Sequence, residues 1–200
     1  MLVYTGVSEV NIPPATDENR KCKFSLRMCL IIGPTGVGKT LLLKRLQNFQ
    51  NMKDICKLGE IPSVIPTVGT NLVNIPVGKK EVVVRELGGC MCPIWNNYIK
   101  DLSALIFVLD VSSSLQIAAS CIQFLTVISN SAVQNTAILL LLNKIDQPSA
   151  LTRFEVESFI RLDDVRANTK LQIKLLEISA FNGKGLTDVI DWIQQFSEQS

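Results

Sequence analysis

The chain has 200 residues, of which 47% are hydrophobic and 19% charged, a composition typical of one globular domain and not of a disordered chain. The formal net charge of +2 is too small to indicate a nucleic-acid partner. Histidine is absent and the six cysteines form no C-x-x-C pair, which argues against a zinc site and removes the commonest general base.

Residues 1–25 predict an extended or poorly ordered arm, separate from the domain that we expect over residues 26–200. The arm contains Pro13 and Pro14 and no charged segment followed by an apolar one, so it does not resemble a signal peptide. Leu2 is incompatible with N-myristoylation, and a basic cluster at 20–27 is interpreted as a solvated linker, although it could touch anionic lipid. We therefore expect a cytoplasmic protein without a stable membrane anchor.

From residue 26 onward, apolar segments of strand and helix length alternate, which predicts a mostly parallel sheet covered on both faces. The expected strands are 26–32, 70–77, 81–86, 103–110, 136–142 and 172–178, and the expected helices are 39–50, 93–100, 115–130, 152–161 and 186–196. Residues 78–80 are too few for a crossover, so the second and third strands should form an antiparallel hairpin. The predicted fold is a single α/β domain with a six-stranded sheet, one antiparallel strand and helices on both faces, which we expect to be monomeric.

Residues 33–40, GPTGVGKT, follow the first predicted strand, open the first helix and match G-x-x-x-x-G-K-[ST]. In this motif backbone N–H groups and the helix N-terminus form an anion site. Lys39 would reach the β- and γ-phosphates, and the Thr40 hydroxyl would ligate Mg²⁺. The nucleotide-binding residues expected here are Gly33, Pro34, Thr35, Gly36, Val37, Gly38, Lys39, Thr40 and Leu41. A glycine-rich turn without a ligand would not require the lysine and threonine, so we predict a nucleoside triphosphate site.

Residues 142–146, LNKID, close the fifth predicted strand and contain N-K-x-D, which is the guanine-recognition loop of P-loop GTPases. The Asp146 carboxylate would accept from N1–H and the 2-amino group of guanine, a donor pattern that adenine lacks. Asn143 would brace the loop and contact the base, while the Lys144 stem would cover the ring and ribose. The alternative for N-K-x-D alone is an ordinary turn at the end of a strand.

Ser179 and Ala180 directly follow the sixth predicted strand and match the last base-contacting segment of the same proteins. There the Ala180 backbone N–H would meet the guanine O6. With the other two motifs in order, the segment favours GTP and GDP as ligands. A P-loop kinase or ATPase is the alternative, and it conflicts with N-K-x-D.

Two further segments resemble the ADP-ribosylation factor (Arf) family. Residues 65–71, IPTVGTN, resemble its switch I signature P-T-[IV]-G-x-N, and residues 85–90, RELGGC, resemble its switch II, W-D-V-G-G-Q. The resemblance runs from about residue 28 to 196. It implies a guanine-nucleotide switch whose switch regions bind protein effectors and regulators. It also implies that Thr67 binds Mg²⁺ and senses the γ-phosphate, to which the Gly89 N–H would bond.

The catalytic positions implied by the resemblance are Lys39, Gly89 and Cys90, and the last is degenerate. Cys90 stands where the family carries the glutamine that orients the attacking water, and a thiol is a weak donor and acceptor. We therefore expect slow or impaired GTP hydrolysis, unless a partner or another side chain positions the water. The alternative is a constitutively GTP-loaded binding module without meaningful GTPase activity.

Other departures concern the metal and the effector surface. Glu86 replaces the aspartate that holds Mg²⁺ through a water, so its contact with the metal could be direct, displaced or weaker. The alternative is that a backbone shift absorbs the longer side chain and the contact stays indirect. Thr70 and Arg85 replace two aromatic residues of an effector-binding triad, of which Tyr98 remains. The segment between Lys39 and Thr67 is about ten residues longer than is usual in the family.

Overall fold

The computed structural model describes residues 28–48, 65–78, 80–100 and 102–198. The predicted arm 1–25 and most of the long segment before Thr67 lie outside the described residues. Within them, one six-stranded sheet has the order β2-β3-β1-β4-β5-β6. Its strands are β1 Cys29–Ile32, β2 Thr70–Val77, β3 Lys80–Leu87, β4 Ala104–Asp110, β5 Ala137–Asn143 and β6 Ile173–Ile178.

The strand pairing confirms the predicted architecture. β2 and β3 are antiparallel, with Thr70 opposite Leu87 and Val77 opposite Lys80. The other four pairs in the sheet are parallel. The chain reverses between β2 and β3 beside Gly78, whose φ of 60° suits glycine. The short connection at 78–80 therefore joins a hairpin, as its length predicts.

Five α-helices lie among the described residues: α1 Lys39–Asn48, α2 Ser114–Ile128, α3 Arg153–Ile160, α4 Leu162–Asn168 and α5 Leu186–Glu198. The helix expected at 93–100 is instead a 3-10 segment, Gly89–Tyr98, that contains Pro93. Proline lacks the N–H that a longer α-helix would need at this position. The sequence also missed α4, which is separated from α3 by a turn at Arg161 with φ 49°.

The core lies on both faces of the central strands. All seven residues of β4 are buried, which explains its uninterrupted apolar sequence. Alternate residues of β4 enter two clusters, so that Phe107 packs on one face with Phe124 of α2, and Ile106 packs on the other with residues of α1 and α5. Trp95 meets Phe107 edge-on with ring centroids 6.0 Å apart, which fixes the 3-10 segment to the sheet.

The parallel strands bring their carboxyl ends to one edge of the sheet. β1 runs there into the glycine-rich loop, and β4, β5 and β6 end there at Asp110, Asn143 and Ile178. Ligands of open α/β sheets bind at this edge. No helix of the described residues has the length and apolar character needed to cross a membrane.

Candidate nucleotide-binding site

The loop between β1 and α1 depends on glycine at its close approaches. A Cβ on Gly33, whose φ is 145°, would lie 2.4 Å from the Val108 carbonyl oxygen. A Cβ on Gly38, whose φ is 97°, would lie 2.5 Å from Asn143 Nδ2. α1 begins where Leu42 N–H donates to the Gly38 carbonyl at 2.9 Å. The loop therefore wraps tightly over the ends of β4 and β5 before it enters the helix.

Lys39 lies in the first turn of α1 and turns its amine back to the loop. Its side chain is 5% exposed, and Nζ donates to the carbonyl oxygens of Gly33 at 2.7 Å and Pro34 at 2.8 Å. Burial lowers the pKa of Lys39 to about 8, against the opposing attraction of Glu86 and Cys90. A buried ammonium of this kind is stabilised by added negative charge, which a phosphate would supply.

Three oxygen-bearing side chains from different segments converge beside this lysine. The Thr40 hydroxyl donates to Glu86 Oε1 at 2.5 Å, and Thr67 Oγ1 lies 2.9 Å from Thr40 Oγ1 and 3.4 Å from Glu86 Oε1. Glu86 is fully buried, and its Oε2 has no hydrogen-bond partner within the described part of the chain. The structure thus brings together the three residues that the sequence nominates for the metal.

This donor set fits Mg²⁺. Magnesium prefers oxygen ligands in an octahedron with bonds of about 2.1 Å, so neighbouring ligands lie about 3 Å apart. The Thr40 and Thr67 hydroxyl oxygens have that spacing, at 2.9 Å. The unpartnered Glu86 Oε2 adds a buried carboxylate oxygen that needs a positive partner or a water.

The residues after β3 pack directly on the glycine-rich loop and on the segment 65–69. Gly88 N–H donates to the Gly69 carbonyl at 2.9 Å, and a Cβ on Gly88 would lie 2.2 Å from the Thr67 carbonyl oxygen. A Cβ on Gly89 would lie 2.2 Å from the Thr35 backbone nitrogen. The glycine doublet is therefore required by two close backbone approaches.

Cys90 follows this doublet and is exposed at the mouth of the site. Its Sγ lies 3.9 Å from the Thr67 carbonyl oxygen, a long contact for a weak thiol donor. Cys29 and Cys121 are buried instead, and burial raises the pKa of Cys29 to about 12 and that of Cys121 to about 11. These two thiols are core residues, whereas Cys90 is exposed beside Thr67.

Asn143 ties the glycine-rich loop to the end of β6. The side chain is 2% exposed, and Nδ2 donates to the Val37 carbonyl at 2.7 Å. Its Oδ1 accepts from the Ala180 N–H at 3.0 Å. This is the bracing contact expected of Asn143. The sequence predicts that the same Ala180 N–H donates to a base oxygen. It would then have to donate to that oxygen and to Asn143 Oδ1 together.

Asp146 carries a hydrogen bond on each carboxylate oxygen. Ser179 Oγ donates to Oδ1 at 2.5 Å, and Gln147 Nε2 donates to Oδ2 at 2.8 Å. Desolvation raises the pKa of Asp146, but the hydrogen bonds from Ser179 and Gln147 outweigh it and leave the pKa below its ordinary value. The carboxylate therefore stays ionised and acts as an acceptor at neutral pH.

Sequence reasoning missed Asp110 and Gln147. Lys144, held at φ 71°, pairs through Nζ with Asp110 Oδ2 at 2.5 Å. Asp110 could have been found, because it ends β4 as Asn143 ends β5, and the two are register partners. Gln147 carries no such signal beyond its place after the loop.

Comparisons with known proteins agree with this geometry. The family model of the ADP-ribosylation factor family matches residues 17–197. ADP-ribosylation factor-like protein 16 of Homo sapiens is 47% identical over 167 residues, covering 84% of each protein. ADP-ribosylation factor-like protein 1 of Saccharomyces cerevisiae is 30% identical over 166 residues, covering 82% of this chain and 84% of that protein.

A solved structure shares the fold. It is that of the Arl6 BBS3 small GTPase from Trypanosoma brucei with bound nucleotide analogue GppNp, with a TM-score of 0.71 and 20% identity. The match covers 86% of this chain and 98% of that one. The chain belongs to the ADP-ribosylation factor family of small GTPases.

Proposed function

We propose that this chain is a guanine-nucleotide switch that binds GTP and GDP with Mg²⁺ and recruits protein partners through its switch regions. The observation that carries the proposal is Asn143, which joins Val37 of the glycine-rich loop to Ala180 of the predicted base segment. That link supports a phosphate subsite and a base subsite within one site. Neither motif alone would imply this.

At the phosphates, the backbone N–H groups of residues 33–40, except that Pro34 has none, and the N-terminus of α1 would supply the anion site. Lys39 adds a buried ammonium, which donates hydrogen bonds to the loop carbonyls of Gly33 and Pro34. Gly89, packed on Thr35, would present its N–H to the γ-phosphate. Binding a triphosphate would place negative charge beside the desolvated Lys39 ammonium and stabilise its charged form.

Thr40 and Thr67 would hold Mg²⁺ through their hydroxyl oxygens, with Glu86 beside them acting through a water. When bound, the metal neutralises phosphate charge. The hydrogen bonds from both threonines to Glu86 support this role, because a metal-bound hydroxyl keeps its proton free to donate. Thr67 lies on switch I and Glu86 on β3, so metal binding and switch order would be linked.

At the base, Asp146 would accept from N1–H and the 2-amino group of guanine. Asp146 has a lowered pKa, which supports an ionised acceptor at neutral pH. Lys144 would lie along the base, with its amine fixed by Asp110. Adenine would leave the carboxylate without donors, and polar sites of this kind discriminate by roughly 10⁴ or more.

Hydrolysis is expected to be slow. Cys90 occupies the position of the water-orienting glutamine, and a thiol cannot replace an amide as donor and acceptor together. Nucleotide binding through Lys39, Thr40 and Asp146 does not depend on the residue at position 90, so binding should persist. The second candidate, a constitutively GTP-loaded module, is favoured by the same exposed Cys90, and the rate of hydrolysis distinguishes the two.

The partner surface is expected to differ from that of most relatives. Thr70 is exposed, and the Arg85 guanidinium carbon lies 6.0 Å from the centre of the Tyr98 ring, within cation–π range. Exposed Ile65 and Val68 lie on the neighbouring switch I segment. Partners that read three aromatic residues should therefore bind poorly, and partners with an acidic group near Arg85 should bind better.

The base assignment is tested by displacing a fluorescent GDP from the full chain in the presence of Mg²⁺. GTP and GDP should displace it at far lower concentration than ATP. Asp146→Asn should weaken GTP binding and raise relative affinity for xanthosine triphosphate, whose 2-oxo group needs a donor. Asp191→Asn, an exposed aspartate on α5, is the matched control.

Two results would contradict the proposal. Displacement by ATP at the same concentration as GTP would reject a guanine site. If Asp146→Asn retained the GTP affinity of the parent, Asp146 would not be the base-recognising carboxylate.

A further inference from the structure

Gln147 directly follows the predicted base loop and turns back onto it. Its backbone N–H donates to the Lys144 carbonyl at 3.1 Å, which closes the turn. Its side-chain Nε2 donates to Asp146 Oδ2 at 2.8 Å. The closed turn holds the glutamine beside the carboxylate, although the side chain itself is exposed.

The two donors on Asp146 are distributed evenly. Ser179 occupies Oδ1 and Gln147 occupies Oδ2, one hydrogen bond on each oxygen. An ionised carboxylate offers about four acceptor sites, so each oxygen keeps capacity for another donor. Guanine offers two adjacent donors on one edge, which is the number that such a carboxylate can still accept.

The orientation of a carboxylate has to be fixed for such recognition. The terminal torsion of an aspartate is broad and weakly restricted. Ser179 alone would anchor one oxygen and leave the other free to rotate out of the plane of the base. A donor on each oxygen fixes that plane.

We propose that Gln147 is a positioning residue for base recognition, which with Ser179 orients the Asp146 carboxylate toward both donors of guanine. The inference rests on the guanine site proposed above and adds a specificity-determining side chain outside the N-K-x-D motif. Gln147 acts through Asp146 and makes no contact with the base. The hydrogen bonds that orient the carboxylate also lower the pKa of Asp146.

The test compares two diphosphates on the full chain. GDP presents both N1–H and a 2-amino group, whereas inosine diphosphate presents only N1–H. Gln147→Leu removes the donor at similar side-chain size. It should weaken GDP binding about three- to tenfold, as expected for one exposed charge-assisted hydrogen bond, and weaken inosine diphosphate binding less.

Two more variants are compared with Gln147→Leu, and one of them is a control. Gln147→Glu keeps the side-chain length but places a carboxylate against Asp146, so its loss of GDP affinity should exceed that of Gln147→Leu. Gln134→Leu makes the same change at an exposed site before β5, at the opposite edge of the sheet, and should bind both nucleotides like the parent.

Unchanged or tighter GDP binding by Gln147→Leu would overturn the inference. So would equal losses for GDP and inosine diphosphate, since these would indicate a loosened loop and not a misoriented carboxylate. If the parent binds adenine and guanine nucleotides equally, the proposed function fails and this inference fails with it. If the parent prefers guanine and Gln147→Leu matches it, only this inference fails.

Discussion

Asn143→Ala is expected to destabilise the protein more than any exposed asparagine substitution. The change removes the partners of two buried backbone groups, the Val37 carbonyl and the Ala180 N–H, which bond to Asn143 at 2.7 and 3.0 Å. Each buried group left without a partner costs about 1 to 3 kcal/mol. The free energy of unfolding should therefore fall by about 2 to 6 kcal/mol.

The assay is urea unfolding of parent and variant freed of nucleotide, because a bound ligand adds stability by mass action. Asn135→Ala, at an exposed position before β5, is the matched control and should change stability by less than about 0.5 kcal/mol. Affinity for GDP should fall together with stability, since the same side chain joins the two subsites. A loss below about 1 kcal/mol would refute the view that Asn143 bridges them.

Two further predictions concern turnover and pH. Cys90→Gln should raise the rate of single-turnover GTP hydrolysis toward the roughly 10⁻⁴ s⁻¹ of small GTPases that carry the glutamine. Equal rates for parent and variant would indicate that Glu86, and not residue 90, limits hydrolysis. Lys39 has a folded pKa of about 8 against an ordinary 10.5, so the folded state binds fewer protons between those pH values. Stability of the nucleotide-free protein should rise from pH 8 to 10.5 by about 3 kcal/mol through this group, and a Lys39→Met variant that keeps the parent's rise would contradict the assignment.

The central strands β1, β4 and β5 could be predicted from the sequence because they are buried on both faces. β4 and β5 are apolar almost throughout, and the short connection at 78–80 allows only a hairpin. The motifs lie at strand ends, so the shared edge of a parallel sheet determines that they meet. The 3-10 segment Gly89–Tyr98 was harder to predict from the sequence. Its geometry is set by tertiary contacts of Trp95 with Phe107 and with the Gly88 carbonyl.

The side-chain pairings in the site could be predicted only in part. Asn143 and Thr40 contact residues of the other sequence motifs, and the fold determines where those motifs lie. The contact of Gln147 with Asp146 depends instead on a turn and a rotamer, and no periodicity reports those. The 2.5 Å hydrogen bond from Thr40 to Glu86 depends on the added methylene of a glutamate at the end of β3, whose reach the sequence left open.

Nucleotide state is expected to order the switch segments, and hydrogen exchange measures that order directly. In the structure Gly88 N–H donates to the Gly69 carbonyl, which joins the two switch segments, and Met91 N–H donates to the Gly88 carbonyl at the start of the 3-10 segment. The first amide therefore reports contact between the switch segments, and the second reports order of the 3-10 segment. With Mg²⁺ and a non-hydrolysable GTP analogue, both should exchange more slowly than with GDP, while core amides of β4 stay unchanged. Equal exchange in the two nucleotide states would contradict a guanine-nucleotide switch.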